Sequence, residues 1–137
     1  MSDSLNPAER SRVMSKVKSK DTTPEMLVRR LVHRMGYRYK LHDRRLPGKP
    51  DLVFPSRKKL IFVHGCFWHR HESCSLARLP KSRKDFWLAK LEGNRQRDTR
   101  HCRELRASGW EILVIWECET KLDHDLLAKR LDLFLKE

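Results

Sequence analysis

The chain predicts a single layered α/β domain, and three observations carry that expectation. Its 137 residues make room for one core and little more. Two continuous apolar runs, Leu52-Val53-Phe54 and Leu60-Ile61-Phe62-Val63, are divided by the turn-forming Pro55-Ser56-Arg57-Lys58-Lys59. Apolar residues recur at helical spacing on both sides of them, so the element order is helix, strand, strand, strand, helix, strand, helix, and burying those faces together gives layers.

Taken in order, Asn6-Pro7-Ala8-Glu9 is a helix start, with Asn6 as cap and proline at the first helical position. Arg10, Arg12, Lys16, Lys18 and Lys20 follow around Met14 and Val17, a basic stretch with little apolar surface to anchor it. It reads equally as an arm that orders on DNA and as an ordinary solvated helix. Thr23-Pro24-Glu25 opens a helix whose Leu27, Val28, Leu31, Val32 and Met35 face a core until Gly36 stops it. Tyr37, Tyr39 and Leu41 then alternate with Arg38, Lys40 and His42, the period of a half-buried strand. After the turn Leu46-Pro47-Gly48-Lys49-Pro50, the two apolar runs form a hairpin of buried strands. An amphipathic helical region spans about 82–108, interrupted near Gly93 and capped by Gly109. Trp110 to Trp116 is an apolar strand whose two tryptophans belong in the core. Asp123 caps a last helix carrying Leu126, Leu127, Leu131 and Phe134.

Composition bounds the partners. Lys and Arg number 31 against 18 Asp and Glu, a net charge of +13, with an isoelectric point near 10.1. A polyanion is the natural partner, nucleic acid ahead of an anionic membrane. No apolar run approaches the roughly 20 residues of a spanning helix, and Met1-Ser2-Asp3-Ser4 lacks a secretory apolar region. These features exclude membrane-spanning and secreted classes and predict a cytoplasmic protein. In that reducing compartment the four cysteines are better read as thiolates than as disulfides.

The stretch Val63-His64-Gly65-Cys66-Phe67-Trp68-His69-Arg70-His71-Glu72-Ser73-Cys74 concentrates the chemistry. Cys66, His71 and Cys74 offer three of zinc's preferred donors at short spacing, and Cys118 in Trp116-Glu117-Cys118 is the best fourth, giving a closed Cys3His site. The alternative is a set of buried small hydrophobes in a solvated, histidine-rich loop. Cys102 fits no ligand spacing and is read as a bystander thiol. At the hairpin, Asp51 begins one strand and His64 ends the next, which puts both at one edge of the sheet. Such a pair, joined by Glu25, can hold a hard cation such as Mg2+ for phosphodiester hydrolysis. Equally, Asp51 after Pro50 is a turn carboxylate and His64 a strand-end hydrogen bonder.

Taken together, Met14-Ser15-Lys16, Leu46-Pro47-Gly48-Lys49-Pro50-Asp51, His64-Gly65-Cys66-Phe67-Trp68-His69, Phe86-Trp87, Asn94, Asp98 and Trp116-Glu117-Cys118 resemble the very-short-patch repair (Vsr) endonucleases, which nick DNA beside a thymine-guanine mismatch. The resemblance covers most of the chain. It implies a restriction-endonuclease-like core, a central mixed β-sheet flanked by helices, with a structural zinc site. It implies that Asp51 and the Val63 backbone hold Mg2+, with Glu25, His64 and Asp98 as partners of its water molecules. His69 then activates or orients the attacking water, work suited to an imidazole, whose ordinary pKa lies near 6.5.

Cys66, His71, Cys74 and Cys118 match the structural zinc ligands of the family. Phe67, Trp68 and Trp87 resemble its wedge into the base stack, and Met14 its minor-groove residue. Two departures stand out: Val63 replaces a threonine, and one extra residue separates His71 from Cys74. The basic run and the chain length give a basic arm over residues 1–20, ordered on DNA, and one endonuclease domain over 21–137. The resemblance implies Mg2+-dependent, strand-specific nicking 5′ of the thymine of a T:G mismatch in double-stranded DNA, with mismatch-repair proteins as partners; one complete set of motifs makes a monomer the default. The alternatives are a restriction-like or homing-type nuclease that cuts matched DNA, and a zinc-stabilised DNA-binding module without catalysis.

Overall fold

The computed structural model describes residues 21–136; the helix start at Asn6, the basic arm and Met14 lie outside them. Thr22 caps helix α1 (Thr23–Arg34), its hydroxyl accepting the Glu25 N–H at 3.3 Å, while Pro24 sits in the first turn, where its missing N–H costs nothing. Val28 and Val32, one turn apart, are fully buried. Gly36 leaves the helix at φ +90°.

The strand expected from Tyr37 to His42 is much shorter: β1 is Lys40–Leu41 alone. Its neighbours are fixed by side chains instead of a ladder. The Tyr37 hydroxyl donates to Asp132 at 3.0 Å and the Tyr39 hydroxyl to the Arg29 carbonyl at 3.4 Å. Leu41, expected inward, is exposed. His42 takes a left-handed φ of +46°, which ends the extended run.

The expected hairpin is present as β2 (Leu52–Phe54) and β3 (Lys59–His64), antiparallel, with Lys58 left-handed in the turn and Lys59 already in the strand. The sheet runs β1-β2-β3-β4, and β4 (Glu111–Trp116) lies parallel to β3. Alternate residues feed two cores. Leu52, Phe54, Ile61 and Ile115 pack against Val28 and Val32 of α1 and against the last helix. Val53, Leu60 and Phe62 pack with Leu105 on the other face, beside Ile112, Val114 and Trp110. Burial on both faces explains why these strands read as unbroken apolar runs.

That second face is covered by helix α2 (Lys84–Ala107), which runs 24 residues without a break. The interruption expected at Gly93 does not occur. One helical glycine costs about 1 kcal/mol, less than the burial of Leu91 or Leu105 returns, each worth about 1.5–3 kcal/mol. Trp87, Leu91, Asn94, Asp98, Cys102 and Leu105 recur every three or four residues and form one stripe of the helix. The end is as expected: Gly109, at φ +90°, donates to the Arg106 carbonyl and Trp110 to that of Leu105.

Where the sequence suggested only a strand end, Glu117–Thr120 forms a short helix, α3, braced by the Glu119 carboxylate accepting the Trp116 N–H at 3.0 Å. Asp123 then caps α4 (His124–Leu135), accepting from the Asp125 and Leu126 amides. Leu127, Leu131 and Leu135 form its buried face, whereas Leu126, expected there, is 65% exposed, one position round the helix from Leu127.

Candidate functional site

Parallel pairing of β3 and β4 builds the site. His64 lies opposite Trp116, so the chain leaves both strands at the same end of the sheet. Cys66 and Cys118 each stand two residues past that pair and are brought together although 52 positions separate them in sequence. The Cys118 N–H donates to Cys66 Sγ at 3.4 Å, and His71 Nδ1 lies 3.5 Å from both Cys66 Sγ and Cys118 Sγ. With Cys74, the four donor atoms all fall within 4.8 Å of one another, so the group can hold a metal ion. On either side of His71, Arg70 and Ser73 are left-handed.

Burial pushes the Cys66 thiol up to about 12, helped by the adjacent Cys118 and Cys74 thiols and opposed by the Cys118 amide. A thiol so placed ionises only with a cation beside it. Cys118 is likewise raised, chiefly by burial. At Cys74 burial acts in the same direction but is outweighed by the Leu76 amide, the Cys66 and Cys118 thiols and the Ala77 amide, and the thiol falls below its ordinary range. Cys102 lies outside this donor group, half-buried against the second core.

Beside this cluster, the His64 and His69 rings stack at 3.8 Å and 4°. His69 Nδ1 is bonded to Asp98 Oδ2 of α2, which leaves Nε2 free to accept a proton. Burial, then the neighbouring His69, push His64 down to about 3 against the pull of Asp98, so His64 is neutral at physiological pH. A cavity of about 260 Å³ opens here, lined by His64, His69, Asp98, Thr99, Cys102, Arg106, Val114 and Trp116. Trp116, expected in the core, is half-buried at this site: its ring stacks on His71 at 4.1 Å and 7° and meets His64 edge-on. Its strand ends here, beyond the reach of either core. Trp110 does pack against the second core.

Asp51 sits at the same end of the sheet. Pro50 has no N–H to extend the ladder, and the Asp51 carboxylate accepts the Val63 N–H at 2.7 Å instead. Burial drives Asp51 up to about 7, against that amide bond and with the added effect of the Glu25 charge and a hydrogen bond to Glu25. Glu25 is 2% exposed, its Oε1 accepting the Asp21 N–H at 3.1 Å and its Oε2 facing His42 Nε2 at 2.7 Å and Arg29 at 3.4 Å. His42 was read only as the polar side of a strand. Two buried carboxylates facing each other need positive charge beside them to be ionised together.

The aromatics Phe67, Trp68 and Trp87 form one edge-to-face trio, with centroids 5.2, 5.7 and 6.1 Å apart. Phe67 and Trp68 are half-buried; Trp87 is only 6% exposed, beneath them, and the outward ring on α2 is Phe86. Asn94 Nδ2 donates to the Trp68 carbonyl at 3.2 Å, and Arg70 and Arg95 pair with Glu92 and Glu72, fastening the loop to α2.

Comparison with known proteins gives this geometry its context. The model of the family described as DNA mismatch endonuclease Vsr matches residues 2–76. Type II nicking enzyme V.XorIIP of Xanthomonas oryzae pv. oryzae is 53% identical over 119 residues, 87% of each chain. Type II nicking enzyme V.NmeAIP of Neisseria meningitidis is 42% identical over 137 residues, 100% of this chain and 96% of that one. DNA mismatch endonuclease Vsr of Escherichia coli K12 is 38% identical over 136 residues, 96% of this chain and 86% of that one. A mixed α/β domain with this site and these relatives is a DNA endonuclease of the nicking kind. The chain belongs to the DNA mismatch endonuclease Vsr family. Among the described residues no helix is long and apolar enough to cross a membrane.

Proposed function

We propose that this chain is a Mg2+-dependent, strand-specific endonuclease that nicks 5′ of the thymine in a T:G mismatch and thereby starts very short patch repair. One observation carries the reading: the buried Asp51–Glu25 carboxylate pair and the His69–Asp98 pair, stacked on the end residue His64 of β3, both lie toward one end of the sheet. The strand and helix arrangement around them supports a restriction-endonuclease-like core.

Asp51 and the Val63 carbonyl would hold Mg2+, which favours such oxygen donors; bound there it supplies Lewis-acid polarisation of the scissile phosphate. The protein's own groups do the rest. Asp98 fixes the His69 ring through Nδ1, so Nε2 takes the proton of the attacking water. Neutral His64, stacked flat on His69, holds that ring in plane. Cys66, His71, Cys74 and Cys118 would hold Zn2+: zinc–sulfur and zinc–nitrogen bonds of ~2.3 and ~2.0 Å at a tetrahedral angle span ~3.5 Å, the separation of His71 Nδ1 from two of the thiols. Four protein donors leave no open position, so this ion is structural.

Phe67 and Trp68 lead the wedge and buried Trp87 backs it, with Met14 of the arm, residues 1–20, entering from the minor groove. Unstacking costs least at a mispaired step, so insertion itself favours the mismatch. Residues 21–137 are one endonuclease domain, working as a cytoplasmic monomer that hands the nick to mismatch-repair proteins.

A labelled-strand assay tests this, comparing T:G and T:A duplexes in several flanking contexts with and without Mg2+, alongside Asp51→Ala. A nick only beside the mismatched thymine, lost in the variant or without Mg2+, supports the reading. Cutting of both duplexes would assign the chain to matched-sequence nicking, and binding without any cut to a DNA-binding module.

A further inference from the structure

His42 belongs to no element of the reaction as described, yet it bonds to the Glu25 carboxylate and to the backbone of Asp51. Its ring Nε2 meets Glu25 Oε2 at 2.7 Å, and its backbone N–H donates to the Asp51 carbonyl at 3.1 Å. It makes both contacts from a left-handed backbone, φ +46°, a conformation in which histidine, asparagine and aspartate are enriched among non-glycine residues. Asp21, Glu25 and His42 bring donors close enough to suggest a metal site of their own. Arg29 answers that suggestion: its guanidinium lies 2.8 Å from Asp21 and 3.4 Å from Glu25, so the positive charge there is already supplied by the protein.

Besides Asp51, Glu25 is held by the Asp21 amide on Oε1 and by Arg29 and His42 on Oε2. Arg29 and Asp21 bind it from its own helix and the segment before it; His42 binds it from the sheet side, beside Asp51, which also hydrogen-bonds to it. We infer that His42 is a positioning residue, which orients the Glu25 carboxylate toward Asp51 and so sets the affinity of that site for a divalent cation. The inference rests on the proposed role of Asp51 and Glu25 in holding Mg2+. Groups that brace metal-site carboxylates in this way typically change metal affinity by about 10- to 100-fold when removed.

The test uses the full chain with zinc loaded and Mn2+ as the probe, bound Mn2+ being read from loss of the free-ion EPR signal. His42→Asn keeps a residue that tolerates the left-handed backbone but is too short to reach Glu25; His42→Gln restores an N–H at comparable reach. The expected result is Mn2+ affinity about 10-fold weaker in His42→Asn and recovered in His42→Gln. The Mg2+ concentration for half-maximal nicking should move in parallel, with KM for DNA unchanged. Mn2+ binding by His42→Asn equal to that of the unaltered chain overturns the inference, as does a failure of His42→Gln to recover while its thermal unfolding is normal. Asp51→Asn separates the two claims: if it binds Mn2+ undiminished, the cation site itself is misassigned and the inference falls with it.

Discussion

Replacing Asp51 by Asn should make the protein more stable, by an amount that grows with pH. The carboxyl is buried beside Glu25 and raised from the usual 3.8 to about 7. Each pKa unit corresponds to ~1.36 kcal/mol, so holding Asp51 ionised in the fold without a cation costs about 4 kcal/mol. Because the folded pKa lies above the unfolded one, the stabilising effect of its proton is complete below pH ~4 and is lost as pH rises through ~7. Asparagine keeps an oxygen to accept the Val63 N–H and adds an N–H that can face Glu25, so the comparison isolates the charge.

The expected stability gain is smaller at pH 5 and reaches about 4 kcal/mol at pH 8, level above that. Urea denaturation of both proteins at pH 5, 6, 7 and 8 in Mg2+-free buffer measures it, and histidine titrations common to the two proteins cancel in the difference. Mg2+ should then raise the stability of the unaltered protein alone, since only its site gains an ion on folding. A variant no more stable at pH 8, or a gap that does not change with pH, would refute the argument from burial and charge.

Four further outcomes are expected. Cys118→Ser should release zinc, seen by atomic absorption, and lower the unfolding midpoint; undiminished zinc content would remove Cys118 from the ligand set. Asp98→Asn should lower kcat by about 10²- to 10⁴-fold with KM little changed, because the His69 ring loses its anchor; an unchanged kcat would reduce the pair to packing. Trp68→Ala should erode the preference for mismatched over matched duplex in competitive binding, and equal preference would make its ring an ordinary part of the aromatic trio. DNA affinity should fall steeply with added salt, as the net charge of +13 demands through counterion release; a flat response would argue against a broad phosphate footprint.

Much of this was legible in the chain itself, and the reasons differ by element. The hairpin and β4 were readable because strands buried on both faces must be apolar at every position, as Leu52 to Phe54 and Leu60 to Phe62 are. The grouping of Cys66, His71, Cys74 and Cys118 was readable because sulfur and imidazole at short spacing are rare without purpose. What could not be read were tertiary decisions. Gly93 breaks helices on average, but Leu91 and Leu105 hold α2 together across it. Tyr37 and Tyr39 alternate like a strand but are fixed through their hydroxyls. Trp116 looked like core because the end of the sheet is invisible in sequence, and His42 looked like surface because its contact with Glu25, 17 positions away, depends on one left-handed residue.

The unbroken course of α2 has a mechanical meaning. Trp87 and Asp98 lie on one stripe of it, eleven residues apart, which in a helix is three turns and ~16 Å along the axis. In the proposed enzyme the ring that backs the opening of the base stack and the carboxylate that steadies the water-activating imidazole are two marks on a single rigid ruler. The offset between where the duplex is prised apart and where its strand is severed is therefore a fixed length of the protein, so a nick can fall only at a set distance from the flaw that provoked it.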